Sequence, residues 1–276
     1  MVRAKLPGAT PTQRIAAWLS HPINETSGKP ADQRLRDRTQ ARLLLDLHLR
    51  NHIGQGNAGS VWTAQDAKGR WLVVKEVVIN SAKQEAEFVR EVHMQRIFQA
   101  AGVGVPLRAA WMANTKGTTG VIVMDPVDTT MRHLVHTFQT DAAVLALLAS
   151  KLRHLIDALH AQGLVHGDLH LDNVGVRMDS SRRKMDLLLL DFERSFRLCD
   201  CPRNLRRDAE DADYFWVWRF VRLHCACFED ALHQAAFPGP GDMSRDRVGQ
   251  QADHLQWIQY KCTDHSTSRP VRVKKA

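Results

Sequence analysis

The sequence lacks any apolar run long enough to cross a bilayer. A representative run, "AAVLALLA" at residues 142–149, is far shorter than the roughly 20 residues that a membrane-spanning helix needs. The N-terminus, "MVRAKLPGAT", lacks the apolar core of a secretory signal. We therefore expect an intracellular protein, cytoplasmic or nuclear and not secreted, with no transmembrane segment.

Cysteine is sparse, and its arrangement fits neither of its usual structural uses. The chain has five cysteines, and an odd number with two C-x-C pairs differs from the disulfide frameworks of secreted proteins. The C-x-C spacing is also shorter than the two-to-four-residue gap of common zinc ligands. The pattern therefore favours reduced thiols and disfavours zinc. These residues are Cys199, Cys201, Cys225, Cys227 and Cys262.

Acidic residues are outnumbered, since 38 Lys and Arg face 30 Asp and Glu and give a net charge of +8. Such an excess favours contact with polyanions, which include nucleic acid, acidic proteins, membrane surfaces and nucleotides, and it does not choose among them; a solvated basic surface explains the charge as simply. With 276 residues, 44% of them hydrophobic, the chain is long enough for one large domain or two lobes.

Hydrophobic periodicity divides the chain into an α+β pattern. Residues 1–47 are predicted to be a basic N-terminal extension and residues 266–276 a flexible basic tail. Between them, two strands form a hairpin, a helix with a Ser81–Gln84 capping box follows, and two more strands come next. A long helix, capped by Thr140 or Asp141 and ended by a glycine, precedes a short hairpin and a mostly helical remainder.

The stretch "GQGNAGSV" contains Gly54, Gly56 and Gly59. It opens into a strand, which argues against a dinucleotide fingerprint, since that motif opens a helix. It also lacks the Gly-Lys-Ser/Thr of a Walker A loop. Two interpretations remain: a glycine-rich hairpin whose backbone N–H groups approach phosphates, or an ordinary tight turn.

Lys75 lies inside the apolar strand "WLVVKEVV", where a lysine needs a partner. The helix that follows offers Glu85, Glu87 and Glu91. Glu91 is favoured because it falls on the packing side of that helix, with Glu87 as the alternative. Such a pair could hold the ammonium against nucleotide phosphates.

A cluster of polar residues occupies "LVHGDLHLDNVGV", residues 164–176. Asp168 follows a helix and a glycine turn, and a carboxylate there can orient a hydroxyl and accept its proton. Asn173 can give an amide oxygen to a divalent cation. Asp191 ends the apolar run "LLLL", where we expect a buried acid that needs a cation.

The motifs occur in the order G-x-G-x-x-G-x-V, V-V-K, helix Glu, H-G-D-L-x-x-x-N and D-F-E. This order resembles the protein-kinase signature over roughly residues 48–225. The resemblance to the protein-kinase-like superfamily implies a bilobal α+β fold, with ATP in the cleft. The small antiparallel-sheet N-lobe would span residues 48–126 and the reduced helical C-lobe residues 127–265.

The resemblance also implies the site. Met124 would be the gatekeeper, and the cofactors would be ATP and Mg²⁺. The implied catalytic residues are Asp168, Lys75, Glu91 and His170; the nucleotide-binding residues are Gly54, Gln55, Gly56, Gly59, Val61, Lys75, Met124, Asp125 and Val127; and the metal ligands are Asn173 and Asp191.

Two departures concern the catalytic segments. Gly167 and His170 stand where typical protein kinases have Arg and Lys, and His170 would have to be protonated to replace that lysine. This form is similar to aminoglycoside and choline phosphotransferases and partly to RIO-type kinases. Glu193 replaces the glycine of D-F-G, which makes flipping of this segment doubtful because glycine gives easy access to positive φ.

Two further departures concern the C-lobe. The sequence has no A-P-E motif and little room for an activation loop, so control by loop phosphorylation is not expected. The C-lobe is short, and "DAEDADYFWVWRFV" resembles the helix that anchors the catalytic loop in compact kinases. The candidate anchors are Asp208, Asp211 and Asp213.

The predicted function is an ATP-dependent phosphotransferase, foremost an atypical serine/threonine protein kinase with a protein substrate, which the basic charge suggests is acidic. A small-molecule or glycan kinase of the aminoglycoside-phosphotransferase type is the alternative, and a pseudokinase scaffold the third. Nucleic-acid contact through the basic segments stays open as an additional role, and the sequence does not indicate an oligomeric state.

Overall fold

The computed structural model describes residues 8–20, 29–30, 47–55, 59–114, 118–211 and 213–214. These residues fall into two compact units. The first takes its members from Met1–Thr129 and Gly175–Leu189, and the second from Thr130–Val174 and Leu190–Ala276. The hairpin of residues 175–189 thus groups with the first unit, whereas the predicted C-lobe includes it.

The first unit contains a six-stranded antiparallel sheet with the strand order β1-β2-β3-β4-β6-β5. The four strands predicted from sequence are present as β3 to β6, and β1 and β2 extend the sheet beyond them. The strands are β1 (Lys29–Pro30), β2 (His48–Gln55), β3 (Gly59–Gln65), β4 (Trp71–Ile79), β5 (Leu107–Asn114) and β6 (Thr118–Met124).

Helices of the first unit are α1 (Pro11–Ser20) and α2 (Ala82–Ala100). The predicted cap of α2 is present, because Gln84 N donates to Ser81 Oγ at 3.2 Å. Phe88 of α2 packs with Val77 and Ile122 of the sheet. Gly120 makes this packing possible, since a Cβ at that position would lie 2.5 Å from the Phe88 ring.

The sequence does not indicate whether residues 1–47 pack on the rest of the chain. For the part that forms helix α1, the structure shows that they do. Ile15 is fully buried, and Arg182 Nη1 donates to the Ala16 carbonyl at 3.2 Å. Arg182 lies in the loop between residues 178 and 185 of the same unit and has a φ of 54°. The α1 part of the predicted extension therefore packs against the first unit.

The second unit contains the long helix predicted from sequence. This helix, α4, begins after Asp141, whose side chain accepts from Val144 N at 3.1 Å, so Asp141 rather than Thr140 is the cap. Burial of its leucine-rich face stabilises the unit by about 1.5–3 kcal/mol per large side chain.

The remaining helices and strands of both units, in chain order, are β7 (Thr129–Thr130), α3 (Met131–Thr137), α4 (Ala142–Ala161), β8 (Leu164–Val165), β9 (Val174–Met178), β10 (Met185–Leu189) and β11 (Phe196–Arg197).

The antiparallel sheet, the helices and the two units together confirm the predicted α+β class. Residues 206–211 and 213–214 are helical, and the rest of the predicted C-terminal helical region lies outside the described residues. Within the described chain, no helix is both long and apolar enough to span a membrane.

Two cysteines fall among the described residues. Cys199 carries a free, exposed thiol, whereas Cys201 is buried and disulfide-bonded. The sequence favoured reduced thiols, so the disulfide at Cys201 differs from that expectation. Disulfides are uncommon in a reducing compartment.

The burial of Glu76 in β4 predicts that the free energy of unfolding depends on pH. Burial raises the pKa of its carboxyl from 4.5 to about 7, and its buried Oε1 has no hydrogen-bond partner among the described residues. Because the folded pKa is raised, the neutral carboxyl stabilises the fold below pH 4.5, and this contribution is lost as the pH rises through 7.

We expect wild-type protein to lose on the order of 1–2 kcal/mol more unfolding free energy between pH 5 and pH 8 than the Glu76→Gln variant, after allowance for partial exposure. Denaturant titration at both pH values measures this difference. Glu85→Gln, at an exposed position of α2, is the control and should behave as wild type. Equal pH dependence in wild type and Glu76→Gln would contradict the assignment.

Candidate functional site

A lysine–glutamate ion pair joins the sheet and α2 of the first unit. Lys75 Nζ lies 2.7 Å from Glu91 Oε1, and their side chains are only 13% and 6% exposed. The two other glutamates considered from sequence differ: Glu85 is exposed, and Glu87 lies 3.8 Å from Lys83 at the helix surface. The ammonium of Lys75 is therefore fixed inside an apolar setting, where its charge acts with little screening.

The glycine hairpin of the first unit is formed by β2 and β3. Gly54 pairs with Val61 and Gln55 with Ser60, whereas Gly56 lies outside the described residues. Gly59 is required by a close approach of backbones, because a Cβ there would overlap the Glu76 carbonyl oxygen of β4. The hairpin is thus held against the strand that carries Lys75.

The last residue of β6 and the segment after it contain the residues that the resemblance assigns to adenine. Met124 is half-buried beside the core under α2. Asp125 N donates to the Pro106 carbonyl at 3.0 Å, and Arg108 binds the Asp125 carboxylate through two nitrogens at 2.5 and 2.6 Å.

The polar loop of residues 164–176 in the second unit is anchored by Asp213. Its buried carboxylate accepts from His166 N and Gly167 N, both at 2.9 Å, and lies 3.1 Å from His160 Nε2. Of the three aspartates proposed as the anchor, Asp213 is therefore the one that holds the loop. A carboxylate that accepts two backbone N–H groups in a buried position is a strong restraint.

His166 ties the same loop to the segment that carries Asp191. Its ring is fully buried, with Nε2 2.9 Å from the Leu190 carbonyl and Nδ1 3.3 Å from Asp168 N. These contacts are consistent with a neutral ring that donates from Nε2 and accepts at Nδ1. His166 thus has a structural role, because it holds the two segments together.

Asp168 and Asn173 lie in one rigid turn. The short helix Leu171–Asn173 closes with a hydrogen bond from Asn173 N to the His170 carbonyl at 2.9 Å. Asn173 Nδ2 donates to the Asp168 carbonyl at 2.9 Å. The amide nitrogen is used in this way, so the amide oxygen of Asn173 remains the atom that can bind a cation.

Asp191 is next to this turn, since Leu190 N donates to the Asn173 carbonyl at 2.9 Å. A buried acid is expected here from the apolar run, but Asp191 is exposed because β10 ends at Leu189, two residues earlier. Its φ of 59° is in the left-handed region, which costs energy for a residue other than glycine and is common at functional sites. Glu193 does not have a positive φ.

His170 is the residue whose role the sequence leaves open. Burial lowers the pKa of His170, and the nearby Asp168 and Asp172 carboxylates oppose that shift. The shift disfavours the protonated form that a lysine-like role requires. Asp172 itself forms an ion pair with Arg132 at 2.6 Å and lies 3.6 Å from His170 Nδ1.

Arg194 and Ser195, which directly follow D-F-E, contact the loop that contains Asp168, and the sequence did not predict either contact. Arg194 Nη1 lies 3.6 Å from Asp168 Oδ1. The buried Ser195 donates from Oγ to the His166 carbonyl at 3.0 Å. A serine or arginine three or four residues beyond an aspartate has no periodic signature, so sequence reasoning offered no signal for either contact.

The donor atoms of the second unit fit a hard divalent cation that also binds phosphate. Asn173 and Asp191 supply oxygen, the ligand type that Mg²⁺ prefers when substrate phosphates complete its shell. In the described part of the chain, no cluster of three or more His, Cys, Asp or Glu side chains could hold a metal unaided. Asn173 and Asp191 would therefore fit Mg²⁺ as two oxygen donors, with nucleotide phosphates as further ligands.

Comparison with known proteins identifies a family for most of the described residues. The family model described as protein kinase domain matches residues 47–203, which include the glycine hairpin, the Lys75–Glu91 pair and the loop with Asp168. A search of curated proteins finds no match.

Proposed function

Because this chain belongs to the protein kinase domain family, we propose that it transfers the γ-phosphoryl group of ATP to a protein serine or threonine. Kinase-type phosphotransfer follows from the family, and family membership generally implies the use of ATP and a divalent metal. The serine/threonine acceptor, the residue roles and the atypical character are the proposal.

The Lys75–Glu91 pair supports the proposed handling of ATP by the first unit. Lys75 would contact the α- and β-phosphates while Glu91, 2.7 Å away, holds it in place. Gly54, Gly56 and Gly59 would bring backbone N–H groups to the phosphates, with Gln55 and Val61 lining the hairpin. The Val127 N–H and the Asp125 carbonyl would bind adenine below Met124.

The observation that carries the proposal is the rigid turn that holds Asp168 in the second unit. In the proposed reaction, the acceptor oxygen forms a bond to the γ-phosphorus while the bond between that phosphorus and the β,γ-bridging oxygen breaks. ADP leaves with the electron pair, and Asp168 takes the acceptor proton. Asn173 and Asp191 would hold Mg²⁺, which supplies charge neutralisation.

A protein acceptor is favoured over a small molecule by the family match and by the net charge of +8, which attracts acidic segments. The loop "HGDLH" supports the alternative, a small-molecule or glycan kinase, because it is similar to that of aminoglycoside phosphotransferases. An intracellular site of action is part of the proposal.

The acceptor class is tested by incubating the protein with γ-labelled ATP and Mg²⁺, once with mixed acidic proteins and once with sugars, choline and aminoglycosides. We expect acid-stable label on protein serine or threonine, and none with the Asp168→Asn variant. Label on a small molecule alone would overturn the protein-kinase assignment in favour of the alternative. Binding of ATP without any transfer would support a pseudokinase.

A further inference from the structure

The loop of the second unit has no lysine two residues after Asp168, so the cation that typical kinases place beside the transferred phosphoryl group must come from elsewhere or be absent. His170 occupies that position. Its Nδ1 is buried and has no hydrogen-bond partner among the described residues. An imidazole is not obliged to carry charge at neutral pH, whereas a guanidinium always does.

Arg194 places such a guanidinium beside the proposed base. Its Nη1 lies 3.6 Å from Asp168 Oδ1, with the arginine side chain 50% and the aspartate side chain 35% exposed. An ion pair at this exposure contributes little to stability. The guanidinium can therefore leave the carboxylate for a more highly charged anion at small cost.

The backbone around Arg194 is fixed to the loop that holds Asp168. Ser195 N donates to the Phe192 carbonyl at 3.1 Å, and Ser195 Oγ donates to the His166 carbonyl at 3.0 Å. Immediately after it, Phe196 of β11 pairs with Val165 of β8. Arg194 is thus a long, charged side chain on a rigid base, a geometry suited to an oriented contact with an oxyanion.

We propose that Arg194 is a catalytic residue that binds the γ-phosphoryl group during transfer and takes the place of the lysine that this loop lacks. The inference rests on the proposed phosphotransfer. As the acceptor oxygen bonds to phosphorus and ADP departs, negative charge spreads over the equatorial phosphoryl oxygens. Arg194 would stabilise that charge while Asp168, released from the ion pair, accepts the acceptor proton.

The test compares Arg194→Gln, Arg194→Lys and Arg197→Gln with wild type in the full-length chain. Arg197 is an exposed arginine three residues further on and serves as the matched control. We expect Arg194→Gln to lower kcat roughly 10²-fold with little change in ATP affinity, Arg194→Lys to recover part of the loss, and Arg197→Gln to leave kcat unchanged.

A second readout separates catalysis from a structural role and needs no acceptor. ADP with aluminium fluoride and Mg²⁺ imitates the transferring phosphoryl group, so wild type should bind it more tightly than ADP, and Arg194→Gln should lose most of that advantage. If the Arg194→Gln variant keeps the wild-type kcat, or binds the fluoride complex as tightly as wild type, the proposed role of Arg194 is wrong. The proposed phosphotransfer would still stand. A wild type that neither transfers phosphate nor prefers the fluoride complex would instead refute the proposed function.

Discussion

The Asp168→Asn variant is expected to transfer phosphate about 10²–10⁴-fold more slowly than wild type, because asparagine cannot accept the acceptor proton. ATP affinity should change little, since the proposed contacts to ATP are made by other residues. The turn should also survive, because Asn173 Nδ2 donates to the backbone carbonyl of residue 168 and not to its side chain. Steady-state kinetics together with calorimetric titration of ATP measure both quantities.

Asp186→Asn is the matched control, because the Asp186 side chain is about as exposed as that of Asp168 and pairs with Lys184 outside this loop. Its rate should stay within a few-fold of wild type, as is usual for a half-exposed ion pair. Wild-type turnover by Asp168→Asn would show that another group takes the proton.

The Asp213→Ala variant is expected to have the largest effect on stability. Removal of the carboxylate leaves His166 N and Gly167 N without their acceptor in a buried position. Loss of two charge-assisted hydrogen bonds should cost about 3–5 kcal/mol of unfolding free energy. Because the same loop holds Asp168, activity should also fall. Chemical denaturation followed by far-UV circular dichroism measures the stability change.

Two related variants distinguish the role of Asp213 from a general effect of charge removal. Asp213→Asn keeps one acceptor oxygen and should lose less stability than Asp213→Ala. Asp211→Asn changes an exposed carboxylate on the same helical segment and should be close to neutral. Equal losses in Asp213→Ala and Asp211→Asn would mean that the loop is not held by Asp213.

Local sequence patterns correctly predicted the helix and strand that contain the Lys75–Glu91 pair. The capping box at Ser81 and the alternation around Lys75 place α2 and β4 correctly because caps and burial periodicity act over a few residues. The Lys75–Glu91 pairing could be chosen over Glu87 since the packing side of a helix follows from its apolar spacing.

Contacts that depend on tertiary arrangement could not be predicted. Asp208, Asp211 and Asp213 differ only in helical phase, and which phase faces the loop depends on how the helical segment packs. Asp191 was expected to be buried because the apolar run before it suggested a longer strand, yet the chain turns at a positive φ. The contacts of Arg194 and Ser195 depend on a turn that no periodic sequence pattern predicts.

The most direct test of the central claim is a single-turnover measurement of γ-phosphate transfer by wild-type protein, with the acceptor that the labelling experiment identifies. With Mg²⁺ present we expect transfer of the label from ATP to an acceptor hydroxyl, and with excess chelator we expect ATP to remain intact. Bound ATP that stays untransferred in the presence of Mg²⁺, across protein and small-molecule acceptors, would contradict the assignment of this chain as an active phosphotransferase.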